Sequence, residues 1–71
     1  MTDLIMPQSK VEIVGTDGIT GTVRNFTVEK ENGTYEPYYD VDVDQGGGGI
    51  YRSQDLIPRD GAVIWTMGPK P

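Results

Sequence analysis

Asp40, Asp42 and Asp44 stand at alternate positions of the run DVDVD, and four glycines at 46–49 follow almost at once. Two chemistries use such parts. Oxygen ligands at the first, third and fifth places open the calcium loop of an EF-hand, which also wants glycine at its sixth place and a bidentate glutamate at its twelfth. Here those places hold Gln45 and Tyr51. Converging glycine amides make a phosphate cradle, but such a cradle opens a helix and usually has a lysine beside it. These glycines are preceded by carboxylates and followed by GIYRS, a strand pattern. The valines between the acids suit the buried face of a strand. The run therefore reads as a solvated strand face leading into a hairpin turn, with neither a metal nor a phosphate site. Glycine tolerates close approach of another backbone, which makes Gly48 and Gly49 candidate interface positions.

The remaining chemistry is narrow. The chain has no histidine and no cysteine, so it lacks the commonest general base and metal ligand, every Ser-His or Cys-His pair, and any disulfide. Tyr38, Tyr51 and Trp65, with Arg52, supply amphipathic rings and a guanidinium, the composition that protein interfaces favour. Together with Asp40, Asp42, Gly48 and Gly49 they form the candidate binding set. No catalytic residue and no cofactor are expected. Two Asn-x-Thr triplets, at Asn25 and Asn32, read as chance matches.

Something must position these residues, and 71 residues permit one domain. A chain this small keeps much of its surface wet, so stability has to come from a compact sheet or from association. Six basic residues face eleven acidic ones, for a net charge of -5. That balance disfavours direct contact with nucleic acid or anionic membranes. MTDLIMPQSK does not resemble a signal peptide, and AVIWTM is far shorter than a membrane span. A cytoplasmic protein is expected.

Ten glycines and five prolines interrupt the chain too often for long helices, and strand signals dominate. KVEIV alternates. Asp17-Gly18 is a turn dipeptide, and Asn32-Gly33 is a strong hairpin signal. In GTVRNFTVEK, Val23 falls out of phase with Phe26 and Val28, which predicts a β-bulge near Arg24-Asn25. TYEPYYDVDVD sends Tyr39, Val41 and Val43 inward, to meet Ile13 and Val23, and sends the aspartates outward. Pro37 needs an edge, a strand end or a bulge. GIYRS is a short strand with Ile50 facing in. SQDLIP predicts a short 3-10 turn near residues 53–57 that delivers Leu56 or Ile57 to the core. GAVIWTM is the last strand candidate. The pattern predicts an all-β fold, a small antiparallel barrel of five to six strands over residues 9–67, with an N-terminal arm at 1–8 and a flexible tail at 68–71.

From Lys10 to Pro58 this layout resembles the SH3-like small barrels: a glycine turn, G-x-V, a long hairpin, Y-x-V, a glycine loop, I-Y, then D-L. It is similar to the photosystem I accessory barrel and to the plasmid-borne type II dihydrofolate reductases. The latter resemblance implies a tetramer with one pore lined by a Val-Gln-Ile-Tyr strand, and a nicotinamide cofactor. Ile50 and Tyr51 match the end of that strand, whereas Gly48 and Gly49 occupy the valine and glutamine places and VGTDGITG holds no lysine. The resemblance is thus one of fold, and fold does not carry function.

The functional expectation is a small, acidic, non-catalytic module that binds a partner protein or its own copies, encoded by a phage or plasmid and serving in assembly, as an accessory or as an inhibitor. Exposed LIM or AVIW segments could extend a neighbour's sheet. No small-molecule ligand is expected. The alternatives are a degenerate type II reductase and an acidic mimic of a nucleic-acid backbone, with Asp40, Asp42 and Asp44 repeating at about 6.8 Å along a strand.

Overall fold

The computed structural model describes residues 2–67; the tail expected at 68–71 lies outside them. Among these residues seven strands and one 3-10 turn follow in order: β1 (Thr2–Ile5), β2 (Lys10–Ile13), β3 (Thr20–Glu31), β4 (Thr34–Val43), β5 (Gly48–Arg52), the turn Ser53–Asp55, β6 (Leu56–Pro58) and β7 (Ile64–Met67). All pairing is antiparallel. One sheet has the order β5-β4-β3-β2-β6, and β1 pairs with β7 in a second, two-stranded sheet. No helix among the described residues is long and apolar enough to cross a membrane.

The long β3–β4 hairpin is set at its tip and corrected in its middle. Asn32 and Gly33 both take positive φ, 50° and 80°, the geometry of a type I′ turn, which matches the twist of the flanking strands. The tip thereby aligns Glu31 with Thr34 and Glu29 with Glu36. Without correction this register would put Phe26 and Val23 on opposite faces. A bulge between Val23 and Asn25 inserts one residue and brings both back to the inner face. Val23 is fully buried, and Phe26 packs against the core. Pro37, also buried, pairs with Val28 one residue beyond the last β4–β5 pair. Its missing amide donor therefore meets a local edge of the sheet.

Ile5, Val11, Ile13, Val23, Tyr39, Val41 and Leu56 form the buried core, with Ile19, Phe26, Val43 and Tyr51 packed around it. The inward set expected from period-2 alternation is all present, Val43 as a half-buried flank. Ile50 is a correction. It pairs with the outward Asp40 while Tyr51 pairs with the inward Tyr39, so Ile50 is 66% exposed and Tyr51 turns to the core.

Curvature follows from connectivity. β5 and β6 lie at opposite edges of a five-stranded sheet, about 19 Å apart if the sheet were flat. Only Ser53–Asp55 separates Arg52 from Leu56, and four Cα steps span at most about 14 Å. The sheet must curl. Among the described residues no strand ladder joins β5 to β6 or one sheet to the other, so pairing does not close a cylinder. The short turn is held by Asp55, whose carboxylate accepts the Arg52 amide at 3.1 Å, and Leu56 enters the core while Ile57 stays 48% exposed.

The β1–β7 pair covers the open side of the curl. Leu4 and Ile5 are buried, so residues read as an arm form a strand. Segments expected to seek a neighbouring molecule pair with each other, Leu4 opposite Trp65 and Ile5 opposite Ile64. Buried Ser9 fastens the ribbon: its Oγ accepts the Val63 amide at 3.0 Å, and its carbonyl accepts the Val23 amide at 3.0 Å.

Candidate functional site: the outer face of β3, β4 and β5

On the face of the hairpin away from the core, β3 presents Asn25, Thr27, Glu29 and Glu31, and β4 presents Asp40, Tyr38, Glu36 and Thr34 in matching register. β5 adds Ile50 beside Asp40 and Arg52 beside Tyr38. Strand alternation alone gathers these residues, because each inner valine or tyrosine forces its neighbours outward.

A stacked pair organises this face. The Arg52 guanidinium carbon lies 4.5 Å from the Tyr38 ring centroid, and its terminal nitrogen stands 3.6 Å from the Glu36 carboxylate. Arg52 Nε is enclosed and has no hydrogen-bond partner among the described residues. The Tyr38 hydroxyl donates to the Glu31 carboxylate. That hydrogen bond holds the phenol above its ordinary pKa of 10.0, with desolvation adding to the effect and the Arg52 charge opposing it. Ring and guanidinium are each gripped at a second point, so the pair is set before any partner arrives.

Next to the stack the surface dips into a groove of about 320 Å³, lined by Asn25, Thr27, Glu29, Tyr38, Asp40 and Ile50 with Phe26 beneath. Glu29 sits directly opposite Glu36, a like-charge pairing that works against the sheet. No hydrogen bond or ion pair engages the carboxylate of Glu29 or Asp40 among the described residues.

The other sequence-selected residues divide. Asp42 is exposed, 3.8 Å from Arg24. Asp44 lies past the end of β4, where Lys10 Nζ approaches its carboxylate at 2.6 Å and the Thr20 hydroxyl donates to it at 2.6 Å. Those two contacts, Lys10 first, hold its carboxyl below the ordinary value. The three aspartates do not converge, and among the described residues no group of three acidic side chains could hold a metal ion. Gly46 and Gly47 form the turn with positive φ. A Cβ on Gly48 would meet the Val41 carbonyl oxygen at 2.7 Å, whereas one on Gly49 would make ordinary contact with the Tyr51 ring at 3.5 Å. Of the aromatic patch expected from sequence, the structure brings Tyr38 and Arg52 together. Tyr51 faces the core, and Trp65, 52% exposed, belongs to the β1–β7 sheet.

Sequence reasoning passed over Thr27, Glu29 and the outward side of Ile50. The first two were within reach: counting back from a two-residue Asn-Gly loop places Glu29 opposite Glu36 and Thr27 opposite Tyr38. The chain matches no family model, no curated protein and no solved structure.

Proposed function

We propose that this chain is a small, acidic, non-catalytic protein-interaction module, SH3-like in architecture, that engages its partner through the outer face of β3, β4 and β5. The observation that carries the reading is the Tyr38–Arg52 stack, 4.5 Å from guanidinium carbon to ring centroid and tethered by Glu31 and Glu36. Tyrosine and arginine are, with tryptophan, the residue types that most often dominate binding energy. A pair already fixed in place loses little rotamer freedom on association. Ile50 beside it supplies exposed aliphatic surface on a strand, so apolar contact and charge lie within one patch. The order of the curled sheet and the 3-10 turn between its edge strands support the small-barrel architecture. Without histidine or cysteine, a base on this face would have to be a carboxylate or the Tyr38 phenol, and that phenol is engaged by Glu31 and raised in pKa, the wrong direction for a base at neutral pH.

Capture from a cell extract tests the reading when two variants accompany the parent protein. Ile50→Asp places a charge in the patch without touching the core, and Trp65→Ser alters the β1–β7 ribbon. A partner retained by the parent and by Trp65→Ser, but lost by Ile50→Asp, supports the proposal. Retention insensitive to Ile50, or loss on Trp65→Ser alone, contradicts it.

A second reading rests on Val63, Ile64 and Trp65, which are 60%, 42% and 52% exposed: the ribbon mediates self-association. Light scattering that finds a dimer in the parent and a monomer in Trp65→Ser would favour it.

A further inference from the structure

We infer that the partner presents an extended segment carrying a lysine or arginine, and that this segment lies along the open edge of β5 with its basic side chain passing over Ile50 to reach Asp40, while Glu29 lies further along the same groove. The inference rests on the proposed interaction face and names the chemistry of what binds there.

Three observations converge on such an occupant. First, β5 is an edge strand, hydrogen-bonded to β4 on one side, and its sequence GGIYR contains neither proline nor lysine, two residues that commonly block an edge against pairing. An added strand would gain main-chain hydrogen bonds along it. Second, register fixes which of the added side chains face the groove. A residue opposite Ile50 lies on the outer face, in line with Ile50 and then Asp40. The methylene stem of a lysine or arginine can cover Ile50 while its charged head reaches beyond.

Third, the charge inside the groove is left uncompensated by the chain itself. Lys10, Arg24, Arg52 and Arg59 pair with Asp44, Asp42, Glu36 and Glu12, and Lys30 lies over the Tyr35 ring. Every basic residue among the described ones is thus committed elsewhere. Asp40 and Glu29, both lining the groove, have no ion pair among the described residues, and Glu29 faces Glu36 across the strands. A cation brought by the partner meets the Asp40 carboxylate just beyond the apolar surface of Ile50, within the negative field that Glu29 adds to the groove. Complementarity of this kind selects partners and speeds encounter.

The test uses the whole chain, isotopically labelled, and two capped peptides that differ at one position. Both consist of threonine and serine with one valine, and carry either lysine or glutamate two residues from it, so that both side chains share a face. The lysine peptide is expected to shift the amides of Ile50 and Asp40 most, with affinity that falls as salt rises. The glutamate peptide is expected to leave them unmoved. Asp40→Asn with Glu29→Gln should weaken the lysine peptide by about tenfold while leaving the urea midpoint unchanged or higher, since a like-charge contact is removed. Absence of binding by the lysine peptide, equal binding of both peptides, or indifference to the double variant overturns the inference. If Ile50→Asp abolishes partner capture while the peptide result is negative, the interaction face stands and its basic occupant falls. If capture is insensitive to Ile50, the interaction face itself fails, whatever the peptides do.

Discussion

The buried Tyr39 hydroxyl accepts the Ile5 amide at 3.1 Å and donates toward the Asp3 carbonyl at 3.4 Å. One side chain from the middle of β4 thereby joins the five-stranded sheet to the β1–β7 ribbon. Tyr39→Phe keeps the ring and strands the Ile5 amide, a buried donor that has lost its acceptor. The expected loss is about 1–3 kcal/mol in urea unfolding, with faster hydrogen exchange at Ile5 than at Val23. Equal stability with unchanged exchange would show that the two sheets are held together by other means.

Gly48 and Gly49 separate two roles inside one glycine run. Gly48→Ala drives a Cβ to within 2.7 Å of the Val41 carbonyl oxygen, whereas at Gly49 the nearest atom belongs to the Tyr51 ring at 3.5 Å. Gly48→Ala should destabilise by about 1–3 kcal/mol, the usual cost of overpacking, and Gly49→Ala by much less. Thermal unfolding of both variants decides it, and the reverse ranking would mean that β5 does not approach β4 as described.

Acid titration reads the Lys10–Asp44–Thr20 contact. Asp44 is held below its ordinary value of 3.8, first by Lys10 and then by Thr20. The folded chain therefore takes up this proton later than the unfolded chain does. The stabilisation is fully present above the unfolded value and is lost as pH falls through the folded one. Thr20→Val combined with Lys10→Met should raise the Asp44 carboxyl pKa in an NMR titration and flatten the acid limb of stability. An unmoved Asp44 would leave its depression without a cause.

Tyr38 gives the opposite limb. Its hydrogen bond to Glu31 raises the phenol above 10.0, so this contribution is complete below that pH and disappears as pH climbs through the folded value. Glu31→Ala should lower the Tyr38 pKa, followed by its ring resonances. No change would mean that the hydroxyl is not committed to Glu31 in solution.

Much of the framework was readable because it is local. Val23 and Phe26 fall out of phase in a strand otherwise in register, and only an inserted residue reconciles them. Asn32-Gly33 sets its own turn, and the alternation from Tyr39 to Val43 assigns both faces of β4. What escaped depends on distant partners. TDLI is too short to announce a strand, and its pairing joins residues as far apart as Asp3 and Thr66, 63 positions along the chain. The apolarity of Ile50 points to the core, whereas its pairing with Asp40 sets its side. The candidate patch was legible in Tyr38 and Arg52, which pair across adjacent strands. It was not legible in Trp65, which the second sheet carries elsewhere.

The proposed interaction face predicts binding on the outer side of β3, β4 and β5 and not on the β1–β7 ribbon. Amide chemical-shift mapping of the labelled chain with its captured partner tests this most directly. Perturbations concentrated at Thr27, Tyr38, Asp40, Ile50 and Arg52, with Leu4 and Trp65 unmoved, are predicted. A footprint centred on Leu4 and Trp65, with Ile50 and Arg52 silent, would contradict it.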